Sequence, residues 1–314
     1  MADKPLVSYI IATYNRKESL KRTINSVLDQ EYNNFEIIVV CNSNDSTPQL
    51  FNNREGEFSD VKSIRYFHSD ERMGVIRARN FGYEQARGDI LVTIDDDATF
   101  DSPDITSEIV QKFSSNTALG IIALKVVNTN NNVVEYPIKQ SHLEEKVPLL
   151  KPQMKNEYNI NGPELVPTFT GCGNAIDKRV FTAVGKYPPH FDYGSEELDL
   201  SLRAIDAGFE VKYFPSLVVN HYEDPSGRFT GRKILKENLK NRLAVSIRNH
   251  PLRYVILSAL LWTGQSVIRS DGDLRVPIEA YGELFDEWRW LLESRDPISE
   301  ETISTINAIG GRIY

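Results

Sequence analysis

The amino-acid sequence predicts an α/β fold, a doubly wound, mostly parallel sheet flanked by helices, with a helical C-terminal extension. Three observations lead there. Short β-rich apolar runs alternate with amphipathic stretches through the N-terminal half. Those runs are apolar along their whole length rather than at every second residue, as strands buried on both faces require. Strand signals then stop near Asp224, and the rest of the chain reads as long helices.

Leu6–Ala12 (LVSYIIA) is the first buried strand and ends at Thr13-Tyr14-Asn15. Arg16 to Asp29 carries Leu20, Ile24, Val27 and Leu28 at helical spacing. Phe35–Cys41 (FEIIVVC) is the second strand, closed by a polar turn from Asn42 to Pro48. Ser63–His68 is the third strand, Arg77–Ala86 a helix, and Asp89–Ile94 (DILVTI) the fourth strand. Gly120–Val127 reads as another strand, Asn128–Asn132 as an asparagine-rich turn, and Leu143–Pro167 as a proline-bearing loop. A strand from Val211 leads to His221. Strand–helix–strand alternation implies right-handed crossovers, and the composition change puts a boundary between residues 1–224 and a helical extension over 225–314.

Composition narrows the function. A net charge of −8 argues against a nucleic-acid partner, which normally demands a basic excess. Cys41 and Cys172 make no disulfide framework and no zinc spacing, and suit a reducing compartment. The first apolar run is too short for a secretory leader, and the longest, Tyr254 to Ile268, falls short of the ~20 residues that span a bilayer. These features predict a cytoplasmic protein.

Asp95-Asp96-Asp97 follows the fourth strand directly, and open α/β sheets bind ligands beyond the carboxyl ends of their strands. Three adjacent carboxylates repel one another unless a cation lies among them. In extended chain, residues i and i+2 share a side, so Asp95 and Asp97 are expected to face one hard cation while Asp96 points elsewhere. Carboxylate oxygens suit Mg²⁺ or Mn²⁺, whose shells are commonly completed by phosphate. The plain alternative is a solvated acidic turn.

The run GVIRARNFGYEQARGDILVTIDDD (Gly74–Asp97) resembles the segment that leads into the Asp-x-Asp motif of family 2 glycosyltransferases. SYIIATYNR (Ser8–Arg16), EIIVVCNSNDST (Glu36–Thr47), TGCGNAIDKRVFTAVGKY (Thr170–Tyr187) and SEELDLSLRAIDAGFEVKYFPSLVVNH (Ser195–His221) resemble further family segments, in the family's order. The resemblance spans roughly residues 6–222. It implies a GT-A type fold and an inverting transfer of a sugar from a nucleoside-diphosphate sugar to a hydroxyl of a glycan or lipid-linked saccharide. Residues 1–224 would be the catalytic domain.

The same resemblance distributes roles. Glu197 falls where the family has its general base, more often an aspartate, with Glu196 or Asp199 orienting the acceptor. By itself, an acidic first helical turn is explained by the helix dipole. His221, like most lone histidines, is by default structural; the resemblance makes it a metal ligand beside Asp95 and Asp97. Thr13 and Tyr14 at the first strand's exit, and Asn42 after the second, are expected at the nucleoside. Because Cys41 or Asn42 occupies the family's base-binding aspartate position, uridine, thymidine and guanosine all stay open. Arg79 is expected near the diphosphate, Asp95 and Asp96 at the donor, and Gly171, Cys172 and Gly173 around its sugar.

Between Arg228 and Arg253 eight cationic residues face one glutamate, and the apolar Tyr254–Ile268 follows. Such a stretch suits the cytoplasmic face of an anionic membrane, or equally a helix packed on the core with a solvated basic side. The amphipathic Glu279–Glu293 suits core covering or a homodimer. Two other functions compete with the transferase. A sugar nucleotidyltransferase would want a glycine-rich phosphate loop after the first strand, where Thr13-Tyr14-Asn15-Arg16 has no glycine; a non-catalytic carbohydrate-binding relative would be expected to lose the acidic residues, which are present.

Overall fold

A computed structural model describes residues 4–52, 55–71, 73–135, 162–224 and 231–313. Most of the expected loop at Leu143–Pro167, Arg228 and the boundary just after Asp224 lie outside these residues. Ten strands of the described chain form one sheet: β1 (Val7–Thr13), β2 (Phe35–Cys41), β3 (Ile64–His68), β4 (Ile90–Thr93), β5 (Ala98–Phe100), β6 (Leu119–Asn128), β7 (Val133–Glu135), β8 (Glu164–Leu165), β9 (Asn174–Asp177) and β10 (Glu210–His221). Their order is β3-β2-β1-β4-β9-β6-β10-β5, with β7 beside β6 and β8 beside β10. Helices α1 (Lys17–Leu28), α2 (Val75–Gln85), α3 (Ile105–Ser115), α4 (Lys178–Val184) and α5 (Glu196–Asp206) flank it.

The apolar runs form strands because both sheet faces are covered. Tyr9, Ile11, Ile37 and Val39 enter one core cluster, while Ile10, Ile38 and Val40 enter the other. Each fully buried aliphatic side chain contributes ~1.5–3 kcal/mol. The parallel part, β3-β2-β1-β4, is the expected one. What the sequence reading lacked is β9, inserted antiparallel between β4 and β6, together with β5, which pairs antiparallel with β10.

Those two antiparallel strands build the site. A strand running against its neighbours starts at the edge where they end. Asn174 pairs with Thr93, so the loop before β9 meets the carboxyl exit of β4. His221 pairs with Ala98, which brings the end of β10 to the acidic triplet.

The extension contains α6 (Arg232–Asn249), α7 (Leu252–Arg269), α8 (Arg275–Asp286), α9 (Trp288–Glu293) and α10 (Glu300–Ala308). Leu239, Leu243, Leu284, Leu291 and Ile303 belong to the same core cluster as Ile10 and Ile38, so these helices cover the sheet's own core. The basic stretch is largely matched by acid. Arg232 pairs with Glu279, Lys236 with Glu237 and Glu283, Lys240 with Glu237, and Arg248 with Asp199. Among the described residues no helix is long and apolar enough to cross a membrane.

Candidate functional site

The acidic triplet occupies a turn rather than extended chain: β4 ends at Thr93, β5 begins at Ala98, and the Ala98 amide donates to the Asp95 carbonyl at 3.1 Å. The i, i+2 alternation therefore does not hold. Asp96 and Asp97, both buried, share the Arg16 guanidinium at 2.7 and 3.0 Å, while Asp95 takes Arg79 at 2.5 Å. This corrects the expectation that Asp96 would point away from its neighbours, and it names the cations the sequence argument had required. Arg16, in the loop after β1, was not singled out from the sequence; its signal was a cation, followed by Lys17, at the exit of a central strand.

Asp97 is the most engaged of the three. Its Oδ2 also accepts from the Asp224 amide at 2.9 Å, and its Oδ1 lies 3.2 Å from His221 Nε2. His221 Nδ1 is 2.9 Å from Glu135 Oε1. Burial opposes a charge on the imidazole, but its bonds to Asp97 and Glu135 outweigh that and push its pKa up to about 10. Burial raises Asp96 to about 6, with Arg16 opposing and Asp97 adding to the rise.

The ligand atoms of Asp95, Cys172 and His221 lie within 4.8 Å of one another, as do those of Glu135, His221 and Glu223. Asp95 and His221 meet at the exit of β4 with Asp97 Oδ1 3.2 Å from His221 Nε2, and carboxylates with an imidazole match the donor set of Mn²⁺ or Mg²⁺. Burial, reinforced by Asp95 and Asp97, holds the Cys172 thiol well above its ordinary pKa. Glu135 and Glu223 carried no motif and were missed by sequence reasoning.

The second acidic group opens α5. Gly194 and Ser195 both have positive φ, +77° and +72°, a sharp turn that sends the chain into the helix. Glu196 is buried, and its Oε1 lies 3.3 Å from Arg79 Nη1; Glu197 keeps part of its surface open. Burial raises Glu197, against the pull of Arg79. Burial and the adjacent Glu197 raise Glu196 well above the ordinary range. The two protonations are therefore linked.

Arg79 ties the two groups together. It is buried and spans Asp95 and Glu196. A diphosphate contact was expected of it; instead both terminal nitrogens hold carboxylates. Gly171 lies against the same spot, because a Cβ there would run into Glu197 Oε1 and Arg79 Nη1. Only a residue without a side chain lets the loop before β9 approach this closely. Gly173, at φ +75°, takes a conformation that side chains rarely adopt.

Asp199 does not join the group. It is fully buried, its Oδ2 bound by Arg203 at 2.6 Å and its Oδ1 by Asn249 at 2.8 Å and by Arg248. With both oxygens occupied inside the protein it braces α5 against α6, which corrects the expected acceptor contact. Thr13, buried at the end of β1, and the half-buried Tyr14 sit beside Asn42, whose amide donates to Thr13 O at 3.1 Å. The Asn42 side-chain amide donates to Glu71 O at 3.2 Å, which leaves its carbonyl as the group to offer a base.

Residues 8–184 match the family model for glycosyl transferase family 2. The chain is 28% identical over 257 residues, 75% of its length, to a probable N-acetylgalactosaminyltransferase 6 of Caenorhabditis elegans, of which it spans 41%. It is 26% identical over 227 residues to glycosyltransferase AglE of Haloferax volcanii, covering 71% of this chain and 69% of that one. The mannosyltransferase PcManGT from Pyrobaculum calidifontis, solved with GDP-Man and Mn²⁺, superimposes with a TM-score of 0.58 over 98% of this chain and 85% of that one, at 16% identity. That likeness establishes a GT-A type fold.

Proposed function

The chain belongs to glycosyl transferase family 2, and from that premise we propose that it moves a sugar from a nucleoside-diphosphate sugar to a hydroxyl acceptor in a single, inverting displacement. One observation carries the reading. Two carboxylate groups from distant parts of the chain, Asp95–Asp97 and Glu196–Glu197, meet across one buried arginine, Arg79, with Gly171 keeping the space beside Glu197 clear. A transferase needs such a pair of functions, charge for a leaving diphosphate on one side and a proton acceptor on the other.

Glu197 is the base. It takes the acceptor hydroxyl's proton as that oxygen bonds to the anomeric carbon and the bond to the diphosphate oxygen breaks. Attack from the side opposite the leaving group inverts the centre. A raised pKa suits the role, because a stronger base takes the proton more readily. Glu196, buried on Arg79, holds its neighbour's environment rather than the acceptor itself.

Asp95, Asp97 and His221 would hold a divalent cation, with Glu135 orienting the imidazole. When bound, that ion supplies positive charge for the departing diphosphate. Thr13, Tyr14 and Asn42 would receive the nucleoside, and the acceptor is a glycan or lipid-linked saccharide. Cell-surface polysaccharide, lipid-linked oligosaccharide and protein glycan assembly are the processes such a transfer serves.

The test is a donor screen by nucleotide-sugar hydrolysis with Mn²⁺ or Mg²⁺, run beside thermal shifts with UDP, dTDP and GDP. One donor should be hydrolysed only with metal, and its nucleotide should stabilise the wild type but not Asp97→Ala. Failure of every nucleotide to stabilise the wild type would end this reading.

A further inference from the structure

The C-terminal helices expose more apolar surface than the core they cover would require. Along α8 and α9, Leu274, Ile278, Tyr281, Phe285, Trp288 and Leu292 face solvent, with Ile278 68% and Phe285 73% exposed. Their spacing, four then three residues repeated, is that of a seam awaiting another helix. A second stripe runs along α7 through Leu252, Ile256, Leu260 and Ile268, four or eight residues apart. Beside the α8–α9 stripe lies a groove of about 340 Å³, lined by Tyr281, Phe285, Trp288 and Leu292 of that stripe and by Val255 and Ala259 of α7. Gly264 and Gly282 leave open space where side chains would otherwise stand.

We infer that this face is the interface of a homodimer, in which the α7 and α8–α9 ridges of one copy enter the groove of the other. Area is the first argument. Fourteen large apolar residues of the described chain are exposed, eleven of them on or beside these helices. At roughly 100 Å² apiece they present about 1,100 Å². Monomers seldom leave a patch above ~600 Å² open, and a stable interface takes ~800 Å² from each partner.

Shape and charge select a second copy over a lipid surface. Heptad spacing and a groove beside a ridge fit helices, whereas a bilayer asks only for one broad apolar face. Residues 252–293 carry four arginines and seven carboxylates, so this face offers no basic excess to an anionic bilayer. The lysines and arginines of α6, which the membrane reading needed outside, are largely spent on Glu237, Glu279, Glu283 and Asp199.

Sedimentation equilibrium on the full chain tests this, with Leu260→Glu and Ile278→Glu as variants. Both positions are about 70% exposed, so the fold should persist, as an unchanged circular-dichroism spectrum would show. The wild type should run as a dimer, and each variant should dissociate at least tenfold more readily. A monomeric wild type at tens of micromolar, or a dimer indifferent to both substitutions, overturns the assignment. Flotation with phosphatidylglycerol–phosphatidylcholine vesicles that both substitutions abolish would give the face to lipid, and would overturn it equally.

Discussion

The two carboxylate groups of the site are built from the same residue types and held in opposite ways. At the exit of β4, Asp95, Asp96 and Asp97 are answered by two arginines the protein supplies, Arg16 and Arg79, and Asp97 also lies beside His221. At the start of α5, Glu196 and Glu197 share a single arginine, and burial drives both toward protonation. The first group is organised to stay charged and to receive more positive charge. The second is organised to take up a proton more readily than an ordinary carboxylate. Adjacent carboxylates therefore say little about their chemistry until their counter-charges are known.

Supports differ as well. The triplet is held by the sheet, through the pairing of β5 with β10 and the amide of Asp224. The glutamates depend on the C-terminal helices. Arg248 and Asn249 of α6 grip Asp199, one turn into α5, and Asn241 donates to the carbonyls of Tyr193 and Gly194 in the turn before it. The extension thus braces the turn and the helix that carry Glu196 and Glu197.

Four measurements would break or sharpen this contrast. The largest effect is expected from Glu197→Gln, which should cut transfer by ~10²–10⁴ while metal-dependent nucleotide stabilisation persists. Unchanged turnover would remove Glu197 as the base. Next, Arg248→Met removes one of the two arginines on the fully buried Asp199, leaving Arg203 and Asn249, and should cost about 1.5–3 kcal/mol in denaturant unfolding. If the acceptor side leans on α6, transfer by the folded fraction should fall while nucleotide binding holds; equal losses of both would dissolve the distinction.

Glu135→Gln should weaken Mn²⁺ binding ~10–100-fold by loosening the His221 ring, with folding intact. Calorimetric titration showing wild-type affinity would leave Glu135 without that part. The smallest effect concerns pH. Because Glu197 is raised, kcat/KM should fall on acidification at a pH above the ordinary glutamate range, as the base takes its proton in the free enzyme. A decline only at the ordinary value would mean the burial of the pair is relieved in solution.

The periodic features were legible in the sequence. β2 occupies the predicted Phe35–Cys41, and β1, β3, β4 and β6 lie within a residue or so of their apolar runs. Family-like spacing picked out Asp95, Asp97, Glu197 and His221, which the fold brings to one region. Less legible were short elements with weak patterns, such as β5 and β9, whose three or four residues carry no usable period.

What the sequence determined by itself was therefore local: which segments bury both faces, which end in carboxylates, and which helices are amphipathic. Tertiary structure alone decided which charge answers which. Arg16 reaches Asp96 across 80 positions, Arg79 spans to Glu196 across 117, and Arg248 meets Asp199 across 49. Strand and helix periods arise from repeating backbone geometry and are written along the chain. An ion pair depends only on separation through space, and separations between distant segments exist only once the sheet order and helix docking have been set.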